Sequence, residues 1–147
     1  MSKEEIVNIE TLRHIFNNHK DKLLCTSNNN GEPNVCIMGN PKINENGDIE
    51  FIINGTSSVT LDNLKENKNI FFMVFTPGER AKDYKGVRIQ ARADEVHTSG
   101  GKFEDIKSIR REKLGEARAA ELLAYVICKV QNLRPIVDRG QAWTDAP

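Results

Sequence analysis

A chain of 147 residues, 38% apolar and 29% charged, is long enough for one domain with a substantial core. Its 21 basic and 21 acidic residues give a formal net charge of zero, which removes any bulk field toward nucleic acid or an anionic membrane. No apolar run approaches the length of a membrane span, and the N-terminal MSKEEIVNIE is acidic and amphipathic rather than signal-like, so the expected location is cytoplasmic.

Taken in chain order, Ile9, Leu12 and Phe16 recur at helical spacing, with Ile6 and Ile15 beside them, and predict an amphipathic helix over 4–18. KLLCTS (22–27) reads as a strand. NNNGEP (28–33) is hairpin chemistry, because Asn-Gly supplies the positive φ that a tight turn requires. NVCIMGN (34–40) reads as a second strand, and its continuous apolar character predicts burial on both faces. NENGD (44–48) is another turn, and IEFII (49–53) is a third strand with Ile49, Phe51 and Ile53 on one face.

NGTSSVTLDNLKENK (54–68) then runs from small amide, glycine and hydroxyl groups into a short helix. IFFMVF (70–75), bounded by turn residues, predicts a central strand, and 78–86 a polar loop. VRIQARADEV (87–96) alternates, with Val87, Ile89, Ala91 and Ala93 inward. Val96 breaks the phase, which predicts a bulge or bend of the kind a barrel corner needs. Residues 100–114 form a basic amphipathic helix with Phe103, Ile106 and Ile109 on one side. GEARAAE (115–121) is ambiguous, 122–133 is the last strand, and RPIVDRGQAWTDAP has little periodicity. Strands joined mostly by tight turns argue for antiparallel pairing. The expected fold is mainly β (α+β): a six-stranded antiparallel split β-barrel with flanking helices, as one domain spanning 1–147.

Chemistry-bearing motifs are few. Cys25, Cys36 and Cys128 form no CxxC pair and sit in apolar segments, so buried free thiols are expected. His14, His19 and His97 are isolated, and no metal site is expected. KSIRREK (107–113) is balanced by Glu104, Asp105, Glu112 and Glu116, which makes it a solvated helix face rather than a nucleic-acid patch.

The strand pair with its Gly-x-Pro turn (GEPNV), the Asn63–Asn69 segment before an apolar strand, and YKGVRIQARADEV together resemble the FMN-binding split-barrel family. This is the fold of pyridoxamine 5'-phosphate oxidase and of the small dimeric FMN-binding proteins, to which the likeness is nearest. The resemblance implies a homodimer with FMN in a cleft at the subunit interface.

On this reading Asn54, Gly55, Thr56, Ser57, Ser58 and Thr60 hold the phosphate at a helix start, where unpaired N–H groups and the helix dipole favour an anion. A hydroxyl N-cap alone also accounts for the segment. The family usually places a lysine or arginine near Val59 or Thr60, and this chain does not. Lys42, Lys65 or a cation of the 78–86 loop then meets the charge. Met38, Gly39 and Asn40 lie along the ring, and Trp143, the one tryptophan, packs across the dimer or on its own subunit.

Two function classes follow from the resemblance: an FMN-dependent oxidoreductase acting on a small molecule, or a non-catalytic electron-transfer, carrier or sensor protein. A split barrel that has lost flavin or uses another cofactor is a third. The C-terminal RPIVDRGQAW does not resemble the substrate end of pyridoxamine 5'-phosphate oxidase itself.

Overall fold

The computed structural model describes residues 9–138. Trp143 and residues 4–8 of the expected first helix lie outside them. Helix α1 (Ile9–Asn17) buries Leu12, Ile15 and Phe16 along one stripe. Strands β1 (Lys22–Ser27), β2 (Pro33–Met38), β3 (Lys42–Ile43) and β4 (Ile49–Asn54) follow, then α2 (Val59–Glu66) and β5 (Asn69–Thr76). A short 3-10 turn (Ala81–Asp83) leads into β6 (Lys85–His97), α3 (Gly101–Leu114), α4 (Glu116–Ala120) and β7 (Leu122–Pro135).

Two turns repeat one device. In Asn28–Glu32 and in Asn44–Asp48, the Asn Oδ1 accepts the backbone N–H groups two and four residues on. Gly31 and Gly47 supply φ of 79° and 85°.

The strands form one 7-stranded sheet in the order β2-β1-β5-β6-β7-β4-β3, and every neighbouring pair is antiparallel. The sheet curls into a half-barrel. The register of β6 against β7 shifts between Gln90 and Ala91 and again between Arg92 and Glu95, and that of β4 against β7 shifts between Ile53 and Asn54. The second shift is the bend anticipated from the phase of Val96. Inside the curl, Val87, Ile89, Ala91 and Ala93 meet Ile49, Phe51 and Ile53 in the core. Phe72 sits at its centre, edge-on to Phe16 at 5.5 Å and to Phe51 at 5.7 Å.

The outer face has two halves. Paired residues share a face, so the register sets Ile37, Leu23, Met73, Arg88 and Arg134 in one row. Val35, Cys25, Phe71, Gln90 and Asn132 form the next. The face is apolar over β2, β1 and β5, and polar to basic over β6 and β7.

Several expectations need correction. The sheet has seven strands rather than six. The added one, β3, pairs only Lys42 with Glu50 and Ile43 with Ile49, and two residues leave no periodicity to read. β2 is not buried on both faces. It is an edge strand, with Val35 58% and Ile37 66% exposed. Ile109 is 47% exposed, so α3 docks through buried Phe103 and half-buried Ile106 rather than through a full apolar side. The ambiguous 115–121 segment is helix α4, anchored by buried Ala119. Of the cysteines, only Cys128 is fully buried; Cys25 and Cys36 are half-buried free thiols.

Phe72→Ala should destabilise the fold by about 3–5 kcal/mol, because it opens a cavity between two aromatic partners. Urea unfolding measures this, and a loss below about 1 kcal/mol would contradict the packing.

Candidate functional site

The half-barrel is not closed by backbone pairing. β4 pairs β7 along one edge, but β3 covers the other edge only at Ile49 and Glu50. At Ile52 a side chain takes over. Asn40 Oδ1 accepts the Ile52 N–H at 2.8 Å, and Asn40 Nδ2 donates to the Ile52 carbonyl at 3.2 Å. One amide thus imitates a strand partner. Beyond it an open cleft of about 330 Å³ runs between the end of β2, the end of β4 and the start of α2. Pockets for small molecules begin at about this size.

The cleft wall is Cys36, Ile37, Met38, Gly39 and Asn40 from β2 and its exit, Ile52, Ile53 and Asn54 from β4, and Ser58 and Thr60 from α2. The structure therefore brings together Met38, Gly39, Asn40, Asn54, Ser58 and Thr60 of the expected set. It does not bring in Gly55, Thr56, Ser57 or Lys42. Gly55, at φ 127°, donates its N–H to the Glu121 carbonyl and turns the chain from β4 into α2. Thr56 and Ser57 are exposed beside that turn, and Lys42 is exposed on β3. Ile37 belongs to the 37–42 segment expected along the ring, whereas Cys36, Ile52 and Ile53 do not follow from the sequence reading. Their signal was positional: β4 runs directly into Asn54–Gly55, so its last residues must border whatever α2 borders.

At the helix start, Ser58 is an N-cap whose Oγ accepts the Leu61 N–H at 3.0 Å. Its carbonyl accepts the Asp62 N–H. The N–H groups of Val59 and Thr60 are left as the uncommitted donors of the first turn. The capping reading thus holds for Ser58 without excluding an anion. Thr60 is only 7% exposed, and its Oγ1 lies 3.6 Å from Cys36 Sγ, which ties α2 to the middle of β2. Deeper in, Asn63 Nδ2 donates to Thr26 Oγ1 at 3.0 Å and fixes α2 on β1.

The electrostatics are unusual for an anion site, since no charged side chain lines the cleft. Lys65 is exposed on α2. Arg80 and Lys82 border a different hollow with Val137. The ionisable side chain in the lining is Cys36. Beside the Ile52 wall, Tyr125 pairs across with Ile52, stacks on His97, and donates its hydroxyl to Glu50 Oε1 at 3.0 Å. Burial first, and Glu50 second, push the Tyr125 phenol up to about 12. Among the described residues no cluster of His, Cys, Asp and Glu fits a metal ion, and no helix is long and apolar enough to cross a membrane.

No family model matches the sequence, and no curated protein matches it. Solved structures do. An FMN-binding protein from Syntrophomonas wolfei subsp. wolfei superposes with a TM-score of 0.68 at 22% identity, over 88% of this chain and 86% of that one. A pyridoxamine 5'-phosphate oxidase-like protein from Lactobacillus delbrueckii gives 0.59 at 14% identity, over 91% and 97%. HutZ, the heme storage protein from Vibrio cholerae, gives 0.59 at 18% identity, over 88% and 95%. The likeness is one of fold: the chain is built as the split barrel that FMN-binding and pyridoxamine 5'-phosphate oxidase-like proteins have.

Two outcomes test this local structure. Asn40→Ala should speed hydrogen exchange of the Ile52 amide by at least about tenfold, an opening cost above about 1.4 kcal/mol, and leave the Phe51 amide protected. Equal rates at both would remove the bridge. Because the folded state holds the Tyr125 proton from pH 10.0 up to about 12, stability should fall across that window. Tyr125→Phe should flatten that slope in alkaline unfolding curves.

Proposed function

We propose that the protein binds FMN in this cleft and works as a redox flavoprotein, as a homodimer. One observation carries the reading. A single cleft joins a capped helix start, with free N–H groups beside Ser58 and Thr60, to an apolar wall that includes Met38 and Ile52. Phosphate chemistry fits the first end, and a flat apolar ring fits the second. The fold shared with an FMN-binding protein supports the same choice.

FMN, when bound, supplies hydride and electron transfer. The chain's own residues do the rest. The Val59 and Thr60 N–H groups and the Thr60 hydroxyl bind the phosphate, with the exposed Gly55–Ser57 turn beside them. Met38 and Ile52 flank the ring. Asn40 keeps one N–H and one lone pair beyond its Ile52 bridge, and these are free to meet the ring edge.

A second reading is favoured by the lining itself. It holds no carboxylate, histidine or lysine to move a proton. An electron-transfer, carrier or sensor role therefore needs nothing the cleft lacks, whereas turnover requires an external donor or acceptor. The apolar outer rows over β2, β1 and β5 support pairing with a second copy, since one sheet face of a small half-barrel leaves them uncovered.

The test is a titration of purified apo-protein with FMN, riboflavin and heme, followed by visible spectra. FMN should bind, and Thr60→Ala should weaken it by roughly tenfold, as expected for one charge-assisted hydrogen bond, while riboflavin affinity stays the same. Equal losses for both flavins would misplace the phosphate. A heme band with no flavin binding would overturn the cofactor. Sedimentation of a flavin-loaded monomer at micromolar concentration would overturn the dimer.

A further inference from the structure

The cleft has no charged lining, yet a buried cation stands directly behind it. Lys22 opens β1 and is 2% exposed. Its Nζ donates to the His19 carbonyl at 2.5 Å and to the Gly39 carbonyl at 3.4 Å, and lies 5.3 Å from the centre of the Phe16 ring. Its acceptors are two carbonyls and an aromatic face rather than a carboxylate. Burial pulls its pKa down, against the nearby Asp21, as expected for an ammonium without a close counter-ion.

Gly39 is part of the cleft wall. The next residue, Asn40, clamps Ile52. Lys22 thus links the end of α1 to the corner that closes the split. The position along the cleft is decided by strand geometry. Thr60 meets β2 at Cys36, and Gly39 lies three residues further along, about 10 Å away at roughly 3.3 Å per residue. The charge is therefore remote from the helix start and belongs to the other end of the cleft.

We propose that Lys22 is a positioning residue that holds the Gly39–Asn40 corner and presents a buried positive charge to the ring-binding end of the cleft, favouring the reduced, anionic form of a bound flavin. This rests on the flavin reading above. Two electrons and one proton convert the neutral ring to an anion. The electrons come from an external donor, and a cation held in a water-poor wall stabilises the product more than the starting form.

The experiment compares wild type with Lys22→Met, Lys22→Gln and Lys22→Arg. Affinity for oxidised FMN, and anaerobically for dithionite-reduced FMN, is measured for each, with thermal melting as the check on folding. Lys22→Met removes the charge with little change in shape, and Lys22→Gln retains a donor for the carbonyls should the methionine variant fail to fold. The ratio of reduced to oxidised affinity should fall about tenfold in the neutral variants, equivalent to a potential about 30 mV lower. It should stay within about twofold of wild type in Lys22→Arg. An unchanged ratio in a folded neutral variant overturns the proposal, because a purely structural lysine would weaken both forms alike. Wild-type protein that binds no flavin instead overturns the proposed function.

Discussion

The fold depends on a sheet that curls without closing. Seven antiparallel strands would form a continuous barrel if the β2 edge met the β4 edge by backbone pairing, and it does not. The free backbone of β4 at Ile52 still needs partners, because a strand edge left without them costs stability. The Asn40 side chain supplies them at one residue only. That economy leaves the remaining edge open, and α2 is drawn across it by Thr60 on Cys36 and by Asn63 on Thr26. The cleft is the space between a side-chain bridge and a helix start. It exists because closure is partial.

The same constraint explains why the lining is neutral. Its walls are strand ends and a helix first turn, and their side chains also serve the core or the cap. Charge is instead placed behind the wall, where two carbonyls and a ring hold the Lys22 ammonium. Burial makes that cation costly, and it is retained where three elements need a common anchor.

Much of this was legible in the sequence, for identifiable reasons. The turns were readable because Asn-Gly marks a tight turn; the structure gives the positive φ to Gly31 and Gly47 alone, and the side-chain bonds of Asn28 and Asn44 were not anticipated. The bend of β6 was readable because Val96 breaks an otherwise regular alternation. The part of the site carried by Met38, Gly39, Asn40, Asn54, Ser58 and Thr60 followed from resemblance joined to helix-start chemistry. What was not legible depended on neighbours far along the chain. β3 carries no pattern at two residues. β2 looked buried because apolarity alone does not separate a central strand from an edge strand with one exposed face. Lys22 stood only as the first residue of the KLLCTS strand, since nothing local shows that Gly39 and His19 fold around it. The 22% identity to the Syntrophomonas wolfei structure fits this picture, with the same fold carried by largely different residues.

The outer face of the sheet carries a consequence for symmetry. Its apolar rows end at β5, and Arg88 and Arg134 begin immediately beyond. A two-fold axis through β1 would set Val35, Ile37 and Phe71 of one copy against the same residues of another. An axis moved toward β6 would bring guanidinium groups face to face. Arg88 is ion-paired with Asp138, so a contact over β6 would have to desolvate an ion pair and Arg134, whereas one over the apolar rows would not. If two copies met through this face, salt would screen the charged side of the contact and leave its apolar side unchanged, so ionic strength would act on how the copies are oriented more than on how strongly they are held.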